Sequence, residues 1–470
     1  MLNDSINGAG MRTHLSASDW SAAAIVAGVV MLALTLFPYP MPHPCVWSDL
    51  AAAAGLRPQA AEFPALAPFL QRIVFSSFGA DIGLGAIAVL GHVLAGLTAG
   101  CWYMAFRQML EFGGNIDMAD RQWNNRLCPA IAAGGALLVA FSELTWTASQ
   151  MLTSASVDLF LAAAAFAFFF RFLARGRRHL GFLSFFFLGA LAAETPYGLF
   201  LLIPVVVLIG LAWYMLDPRD DIEPAVRIKP IEEFPYALMA AAWVIGFGLV
   251  LGLADTAFRS AGGMVESFAA ARAAWLRLLP EGSTMKGALL GGAVTLLPLI
   301  VVASVYPRLS HPLAPKPIWV RGLCVLAGLV ALTQLIDYAP LRYRAWSDEE
   351  EAVAVAALPG IFTAIAAATV VLSSAAVAAM TWCHDSRLHI FALRFGRFLF
   401  SIAAIGLIVW VGSGRQCEAV RTKLAKVDAH IAKTLEACKG NDVIRSQGRL
   451  DPMLELRALR QNRKLVITHD

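Results

Sequence analysis

Long apolar runs, separated by short charged or turn-rich segments, decide what this chain can fold into. A helix of about 20 apolar residues crosses a bilayer, and within lipid only helices and closed barrels satisfy their backbone hydrogen bonds. Hydrophobic residues make up 58% of the 470 residues and charged residues only 15%, against about a quarter in soluble domains. The runs are continuous, unlike the ~10-residue alternating segments of a membrane barrel. The sequence therefore predicts an all-α polytopic membrane protein.

Eleven apolar runs are predicted to be transmembrane helices. Some are shorter than the roughly 20 residues that a bilayer requires, and we expect those to extend by a turn or to tilt. The predicted spans are Trp20–Phe37, Ile82–Phe106, Leu127–Phe141, Val157–Phe172, Leu180–Ala193, Tyr197–Met215, Tyr236–Leu253, Gly287–Val305, Val320–Ile336, Leu358–Met380 and Phe398–Val411. The chain is thereby divided into a cytoplasmic N-terminus (1–19), a transmembrane domain (20–412) and a soluble tail (413–470).

Basic residues concentrate in alternate loops, and this asymmetry sets the predicted orientation. Cytoplasmic loops of membrane proteins carry an excess of Lys and Arg. The loops on the side of the N-terminus hold most of them here, for example Arg107 and Arg126 after the second span and Arg175 and Arg178 after the fourth. We expect a multi-pass plasma (inner) membrane protein with a cytoplasmic N-terminus. Because the span count is odd, the C-terminus is expected to be extracytoplasmic.

The first outer loop, Phe37–Gln71, is the most polar excursion near the N-terminus. It is too rich in proline and polar residues to lie in lipid, and it carries Asp49, Arg57 and Glu62. Since the chain otherwise avoids charge, we predict a functional site in this long loop. Asp49 fits two roles: a general base or metal-ligating carboxylate, or the N-cap of the alanine-rich run LAAAAGL that follows it.

Three further charged residues lie in or near the other outer loops. Glu143 is in the second loop, Glu194 is at a tight turn after the fifth span, and Arg259 is in the fourth loop. Charge near membrane depth is costly, so such residues usually face a cavity or a partner. Functional and structural roles both stay open for Glu143 and Glu194. Arg57 and Arg259 fit a bidentate contact to phosphate, or an ordinary contact to headgroups or solvent.

Motifs for several common chemistries are missing from the sequence. It has no GxxxxGKS phosphate loop, no HExxH zinc motif and no GxSxG nucleophile elbow. Its basic residues form no single patch of the kind that binds nucleic acid. We therefore expect no nucleic-acid partner, and no cofactor is specified. A divalent cation would suit two carboxylates and a phosphate, although no residue pattern requires one.

Beyond Val411 the composition becomes that of a soluble segment. Leu424, Ile431 and Leu435 belong to a series that recurs at the three- and four-residue steps of an amphipathic helix. The stretch DVIRS, the helical pattern Leu450–Gln461 and the stretch KLVIT follow in that order. We therefore predict a small extracytoplasmic helical and α/β segment with the order strand, helix, strand.

Four segments carry a resemblance to a known family: WSDLAAAAGL, FPALAPFLQRIVFSSFG, FSELTWTASQMLTSASVDLFLAAAAFAFFFRFL and LGALAAETPYGLFLLIP, all within residues 20–215. With one span before a long acidic outer loop, many later spans and an outer tail, the chain resembles the GT-C superfamily of membrane glycosyltransferases. It looks most like the bacterial branch of unknown function that is related to protein O-mannosyltransferases. That family has an acidic pair in the first loop; here Asp49 follows Ser48, and Glu62 stands nearby in place of a family histidine.

The resemblance implies transfer of a sugar from a polyprenyl-phosphate donor in the bilayer to a glycan or protein acceptor outside. It implies inversion at the sugar carbon, with Asp49 as the catalytic acidic residue and Glu143 as the acidic residue of the second loop. The residues expected to contact the substrate are Glu62, Arg57, Glu194 and Arg259. Two other classes stay open: a non-catalytic scaffold or degenerate relative that presents its tail, and a transporter.

Overall fold

The computed structural model describes residues 17–38, 47–56, 66–113, 128–141, 143–175, 177–194, 236–258, 269, 415–438, 443–446, 450–461 and 465–469. Over these residues the chain is almost entirely helical. The elements are α1 (Ala17–Leu36), α2 (Trp47–Ala53), α3 (Leu66–Gly113), α4 (Cys128–Ala140), α5 (Glu143–Ser149), α6 (Ser154–Arg175), α7 (Arg178–Glu194), α8 (Tyr236–Phe258), α9 (Arg415–Ala437), β1 (Val443–Ser446), α10 (Asp451–Arg460) and β2 (Val466–His469).

Six of the predicted spans coincide with described helices: α1, the second part of α3, α4, α6, α7 and α8. Their ends differ by a few residues, since α6 begins at Ser154 rather than Val157 and α8 ends at Phe258 rather than Leu253. The count of about 11 spans stays a prediction, because five predicted spans lie outside the described residues. These five are Tyr197–Met215, Gly287–Val305, Val320–Ile336, Leu358–Met380 and Phe398–Val411.

Three of the described helices are long and apolar enough to cross a membrane. They are Asp19–Leu36 within α1, Ile82–Gln108 within α3 and Ser154–Phe172 within α6. In α1 the side chains of Ile25, Leu32 and Leu36 are exposed, whereas Val30 and Leu34 are buried against the bundle. Such an apolar outer stripe is unfavourable in water, but the hydrocarbon core of a bilayer accommodates it. The apolar helices therefore indicate a membrane protein.

Helix α6 packs between α3 and α7 in the described bundle. Phe166 of α6 stacks on Trp102 of α3, with ring centroids 6.4 Å apart. On its other side, the hydroxyl of Ser184 in α7 donates a hydrogen bond to the carbonyl oxygen of Ala165 at 2.9 Å. That bond satisfies a buried hydroxyl that would otherwise be costly to remove from water.

Helices α7 and α8 pack through small residues. Gly189 of α7 lies against the carbonyl oxygen of Trp243, and Gly246 of α8 lies against that of Phe186. A methyl group at either position would overlap the opposite backbone. Glycines at helix interfaces permit such close approach and are common in membrane bundles. The close packing of α7 on α8 therefore requires glycine at positions 189 and 246.

A buried ion pair joins the start of α1 to the last turns of α3. Arg107 Nε lies 3.2 Å from Asp19 Oδ1, and both side chains are almost inaccessible. At the same end of the bundle, the Arg171 guanidinium of α6 lies over the ring of Trp20, 4.6 Å from its centroid. Arg107, which the sequence places in a cytoplasmic loop, is thus held inside the protein by an acidic partner.

The first outer loop contains more helix than its composition suggests. α2 spans Trp47–Ala53, and α3 already begins at Leu66, well before the predicted span at Ile82. Pro68 is compatible with this start, because N–H groups in the first turn of a helix have no intrahelical acceptor. Gly79 interrupts α3 with φ 71° and ψ −179°, a conformation that is essentially restricted to glycine. The kink separates the loop part of α3 from its membrane part.

The tail has the predicted order of strand, helix and strand. β1 and β2 pair in parallel with Val443 opposite Val466, and α10 lies between them in the chain. In α9 the buried side chains are Leu424, Ile431 and Leu435, at the helical spacing expected from the sequence. They join the same apolar cluster as the buried residues of α10.

Candidate functional site

The end of the bundle at which α1 ends brings together the elements that carry the predicted site residues. α2 packs against α3, α5 packs against α3 and α6, and α10 packs against α2 and α3. Trp47, Leu50 and Ala51 of α2 are buried in one apolar cluster with residues of α3 and the tail. This end is opposite the Asp19–Arg107 pair, because Asp19 is near the start of α1. Helix α2 of the first loop, helix α5 of the second loop and helix α10 of the tail therefore lie at one end of the described bundle.

Glu194 is the last residue of α7 and contacts the start of α3. Its Oε1 accepts a hydrogen bond from the backbone N–H of Leu66, the first residue of α3, at 2.9 Å. The residue is 0% exposed. N–H groups in the first turn of a helix have no acceptor within the helix, and a carboxylate there also interacts favourably with the helix dipole. Of the two roles left open for Glu194, this contact fits the structural one.

The segment between α5 and α6 is fixed to α3 through Leu152. The side-chain amide of Gln71 donates a hydrogen bond to the Leu152 carbonyl oxygen at 2.6 Å, and the Leu152 N–H donates to the carbonyl oxygen of Ile87 at 3.1 Å. Gln71 precedes the kink at Gly79 and Ile87 follows it. One loop residue therefore braces both arms of the bend.

A reciprocal cap begins α6 directly after this loop. The Ser156 N–H donates to Thr153 Oγ1 at 3.1 Å, and the Thr153 N–H donates to Ser156 Oγ at 2.9 Å. This is the geometry of a capping box, with serine in the place usually taken by Glu or Gln. It explains why α6 begins at Ser154 rather than at the predicted Val157, because two N–H groups at the helix start are satisfied locally.

Asp49 is the third residue of α2, and Glu143 is the first residue of α5. Since α2 begins at Trp47, Asp49 is not in the N-cap position, and the alternative that it caps the LAAAAGL run is wrong. The helix starts earlier because Trp47 belongs to its buried face, together with Leu50 and Ala51 at steps of three and four residues.

Several predicted site residues lie outside the described part of the structure. These are the side chains of Asp49 and Glu143 and the whole of Arg57, Glu62 and Arg259. The helices that carry Asp49 and Glu143 are placed at the same end of the bundle as Glu194. Within the described ranges, no three His, Cys, Asp or Glu side chains are grouped as ligands of a metal ion.

His92 of α3 is a buried ionisable residue that the sequence interpretation missed. It is 8% exposed, and its Nδ1 lies 3.4 Å from Oγ1 of Thr35 in α1. The Thr35 hydroxyl donates to the Met31 carbonyl oxygen at 2.8 Å, so its oxygen is available to accept a hydrogen bond from Nδ1–H. His92 Nε2 is buried with no hydrogen-bond partner among the described atoms. The signal was an ionisable residue within the predicted span Ile82–Phe106, where such residues are often functional.

No protein-family model, no curated protein and no solved structure matches this chain.

Proposed function

We propose that this chain is a membrane glycosyltransferase-like protein that transfers a sugar from a polyprenyl-phosphate donor to an extracytoplasmic glycan or protein acceptor. The observation that carries the proposal is the meeting of α2, α5 and the end of α7 at one end of an apolar helical bundle. The polyprenyl chain of such a donor lies in lipid while its phosphate lies at the membrane surface. A site for it has to lie where helices emerge from the bilayer.

In this proposal Asp49 acts as the general base. It would take the proton of the acceptor hydroxyl while that oxygen attacks the anomeric carbon, and the polyprenyl phosphate would leave with the bonding electron pair. One such displacement inverts the sugar carbon. Arg57 or Arg259 would hold the phosphate by charge-assisted hydrogen bonds, and Glu143 would be the second acidic group near the acceptor.

Glu194 has a different task in the same proposal. Its carboxylate is fully buried and accepts a hydrogen bond from the backbone of Leu66, so it would hold the loop part of α3 rather than contact the sugar. This separates a group that positions the loop from the groups that react. Replacement of Glu194 should therefore reduce stability and activity together, whereas replacement of Asp49 should reduce activity in a stable protein.

The test is sugar transfer from labelled polyprenyl-phosphate donors by membranes that carry the wild type, Asp49→Asn or Glu143→Gln. Removal of a general base typically lowers the rate by about 10²–10⁴-fold, and we expect a loss of that order for Asp49→Asn. The matched control is Glu436→Gln, a carboxylate on the exposed face of α9, which should leave the rate unchanged. Equal rates for the wild type and Asp49→Asn would remove Asp49 from the mechanism.

A non-catalytic scaffold is the second proposal, and one observation favours it. α10 of the tail packs directly against α2. Helix α2 of the first loop therefore also has a structural role, because it supports the tail. A scaffold would recruit partners through its tail when Asp49 and Glu143 are both replaced. Partner recruitment by the double variant, without sugar transfer by the wild type, would favour the scaffold over the enzyme.

A further inference from the structure

The tail helix α10 is buried on almost all sides. Over its ten residues the side chains of Met453, Leu454, Leu456 and Ala458 are at most 6% exposed. A helix that is buried all round normally lies inside a folded core rather than on a surface. The tail is therefore integrated into the rest of the protein and is not an appendage.

The partners of α10 come from both ends of the sequence. It packs against α2 and α3, and against α9. The buried residues Trp47 and Leu50 of α2 belong to the same apolar cluster as Leu456 and Ala458 of α10. A contact of this kind excludes water from both helices, so the position of α2 depends on that of α10.

An ion pair and a small sheet hold α10 in the tail. Arg457 of α10 binds both carboxylate oxygens of Asp428 in α9, with Nη2 3.4 Å from Oδ2, and Arg457 Nη1 also donates to the Asp428 carbonyl oxygen at 3.2 Å. Bidentate pairing of arginine with a carboxylate adds geometric specificity. β1 and β2 flank α10 in the chain and pair with each other. The ion pair therefore joins α10 to α9, and the paired strands close the tail on either side of α10 in the chain.

The location of the tail also bears on the topology of the chain. The face of α9 away from the cluster exposes Arg421, Lys426, Lys433 and Glu436, so α9 lies in water. α2 follows the end of α1, and α3 crosses the bundle only after its kink at Gly79. Contact between α10 and α2 therefore puts the tail on the side of the membrane at which α1 ends.

We propose that the tail clamps the first loop: the first loop and the tail lie on the same side of the membrane, and α10 fixes α2 at the membrane surface. The clamp stands whether or not the chain transfers sugars, because it rests on packing alone. If the chain is a glycosyltransferase, the clamp positions the helix that bears Asp49.

Cross-linking between single cysteines tests the contact and the topology together. In a full-length background in which the native cysteines are replaced by alanine or serine, Ala51→Cys is combined in turn with a cysteine at Met453, Leu454, Leu456 or Ala458. A short bismaleimide should link at least one pair in the monomer, detected as joined peptides by mass spectrometry of membranes. The control pairs Ala51→Cys with a cysteine at Ala425, on the exposed face of α9, and should not link. A link would place the two segments on the same side of the bilayer, because segments on opposite sides cannot be joined. Absence of a link in all four pairs overturns the proposal.

The holding function is tested by the labelling rate of Ala51→Cys with a water-soluble maleimide. Ala458→Trp inserts bulk where α10 is buried and should raise that rate by at least about tenfold, because local opening exposes α2. Ala425→Trp makes the same change on the exposed face of α9 and should have no effect. An unchanged rate in Ala458→Trp, with α10 itself open to protease, would show that α2 is held without the tail.

A second reporter separates release of α2 from general unfolding. Ala148 of α5 is 0% exposed, so the cysteine of Ala148→Cys should stay protected in Ala458→Trp. If both reporters become accessible, Leu456→Ala replaces Ala458→Trp, because it removes a contact without inserting bulk. Release of Ala51→Cys alone in that variant supports the clamp, and release of neither or of both overturns it.

Discussion

The Glu194 carboxylate at the end of α7 accepts a hydrogen bond from the backbone N–H of Leu66 at the start of α3. The distance from the Leu66 nitrogen to Glu194 Oε1 is 2.9 Å. The two residues are 128 positions apart in the chain. An acidic side chain next to an apolar span is thereby used to end one helix and to begin another. The loop part of α3, which precedes the kink at Gly79, is attached to the bundle through this contact.

Glu194→Ala should lower the stability of the protein. Loss of a capping side chain typically costs about 1 kcal/mol, and the part-buried N–H of Leu66 would lose its side-chain acceptor. The measurement is the thermal transition of the protein in detergent micelles. Glu436→Ala on the exposed face of α9 is the control and should shift the transition little. Equal shifts for the two variants would contradict the capping role of Glu194.

Replacing one member of the Asp19–Arg107 pair should be more harmful than replacing both. Breaking a buried ion pair leaves an uncompensated charge and typically costs about 3–5 kcal/mol. We expect Arg107→Leu or Asp19→Leu alone to lower the free energy of unfolding by that order, and the double variant to recover part of it. Chemical denaturation in mixed micelles measures the cycle, with exposed Arg177→Leu as control. Strictly additive losses would argue against coupling.

Gly79→Ala should destabilise the kink of α3. A residue with a Cβ pays about 1–3 kcal/mol in such a sparsely populated backbone conformation. Gly85→Ala lies in the same helix, has no positive φ and meets no atom within 4 Å of the new methyl group, so it should be neutral or mildly stabilising. Thermal transitions of the two variants in micelles make the comparison. A Gly79→Ala protein as stable as Gly85→Ala would show that the kink is not required.

Gly189→Ala should separate α7 from α8, because the added methyl group would overlap the carbonyl oxygen of Trp243. Overpacking of this kind typically costs about 1–3 kcal/mol. Gly248→Ala, in α8 with nothing within 4 Å of the new group, is the matched control. Accessibility of a cysteine placed at Ala242, which is buried in α8, reports the separation. We expect faster labelling in Gly189→Ala than in Gly248→Ala, and equal labelling would contradict the close contact.

Continuous apolar runs predicted several of the described helices well. The ends of α1, α7 and α8 lie within a few residues of the predicted runs. The hydrophobicity of a segment indicates whether it is surrounded by apolar groups, and this can be read without knowing which helices pack against it. The amphipathic spacing of Leu424, Ile431 and Leu435 likewise predicted α9. The first loop was predicted less completely, since its prolines and charges excluded it from lipid but did not indicate that α3 begins at Leu66. Pro68 proved compatible with the first turn of α3.

At the candidate site, the local sequence pattern does not predict which residues contact one another. Glu194 was recognised as an acidic residue near a span, but its acceptor role depends on a helix start 128 residues earlier in the chain. An N-cap was one of the two roles left open for Asp49, suggested by the run that follows it, but burial of Trp47 begins the helix earlier. His92 carried a sequence signal that went unused. Its contact with Thr35 joins residues 57 positions apart, and no local sequence pattern predicts it.

The sequence by itself determined the class of the protein, because apolar runs of bilayer length leave the backbone no alternative to helices. It also determined the order of elements in the tail, since strand and helix periods are local properties. Only the tertiary structure decided that the Asp19–Arg107 pair is buried, that Glu194 caps α3 and that α10 rests on α2. Each of these joins residues far apart in the chain, and such pairings are selected by the packing of the whole bundle rather than by neighbouring residues.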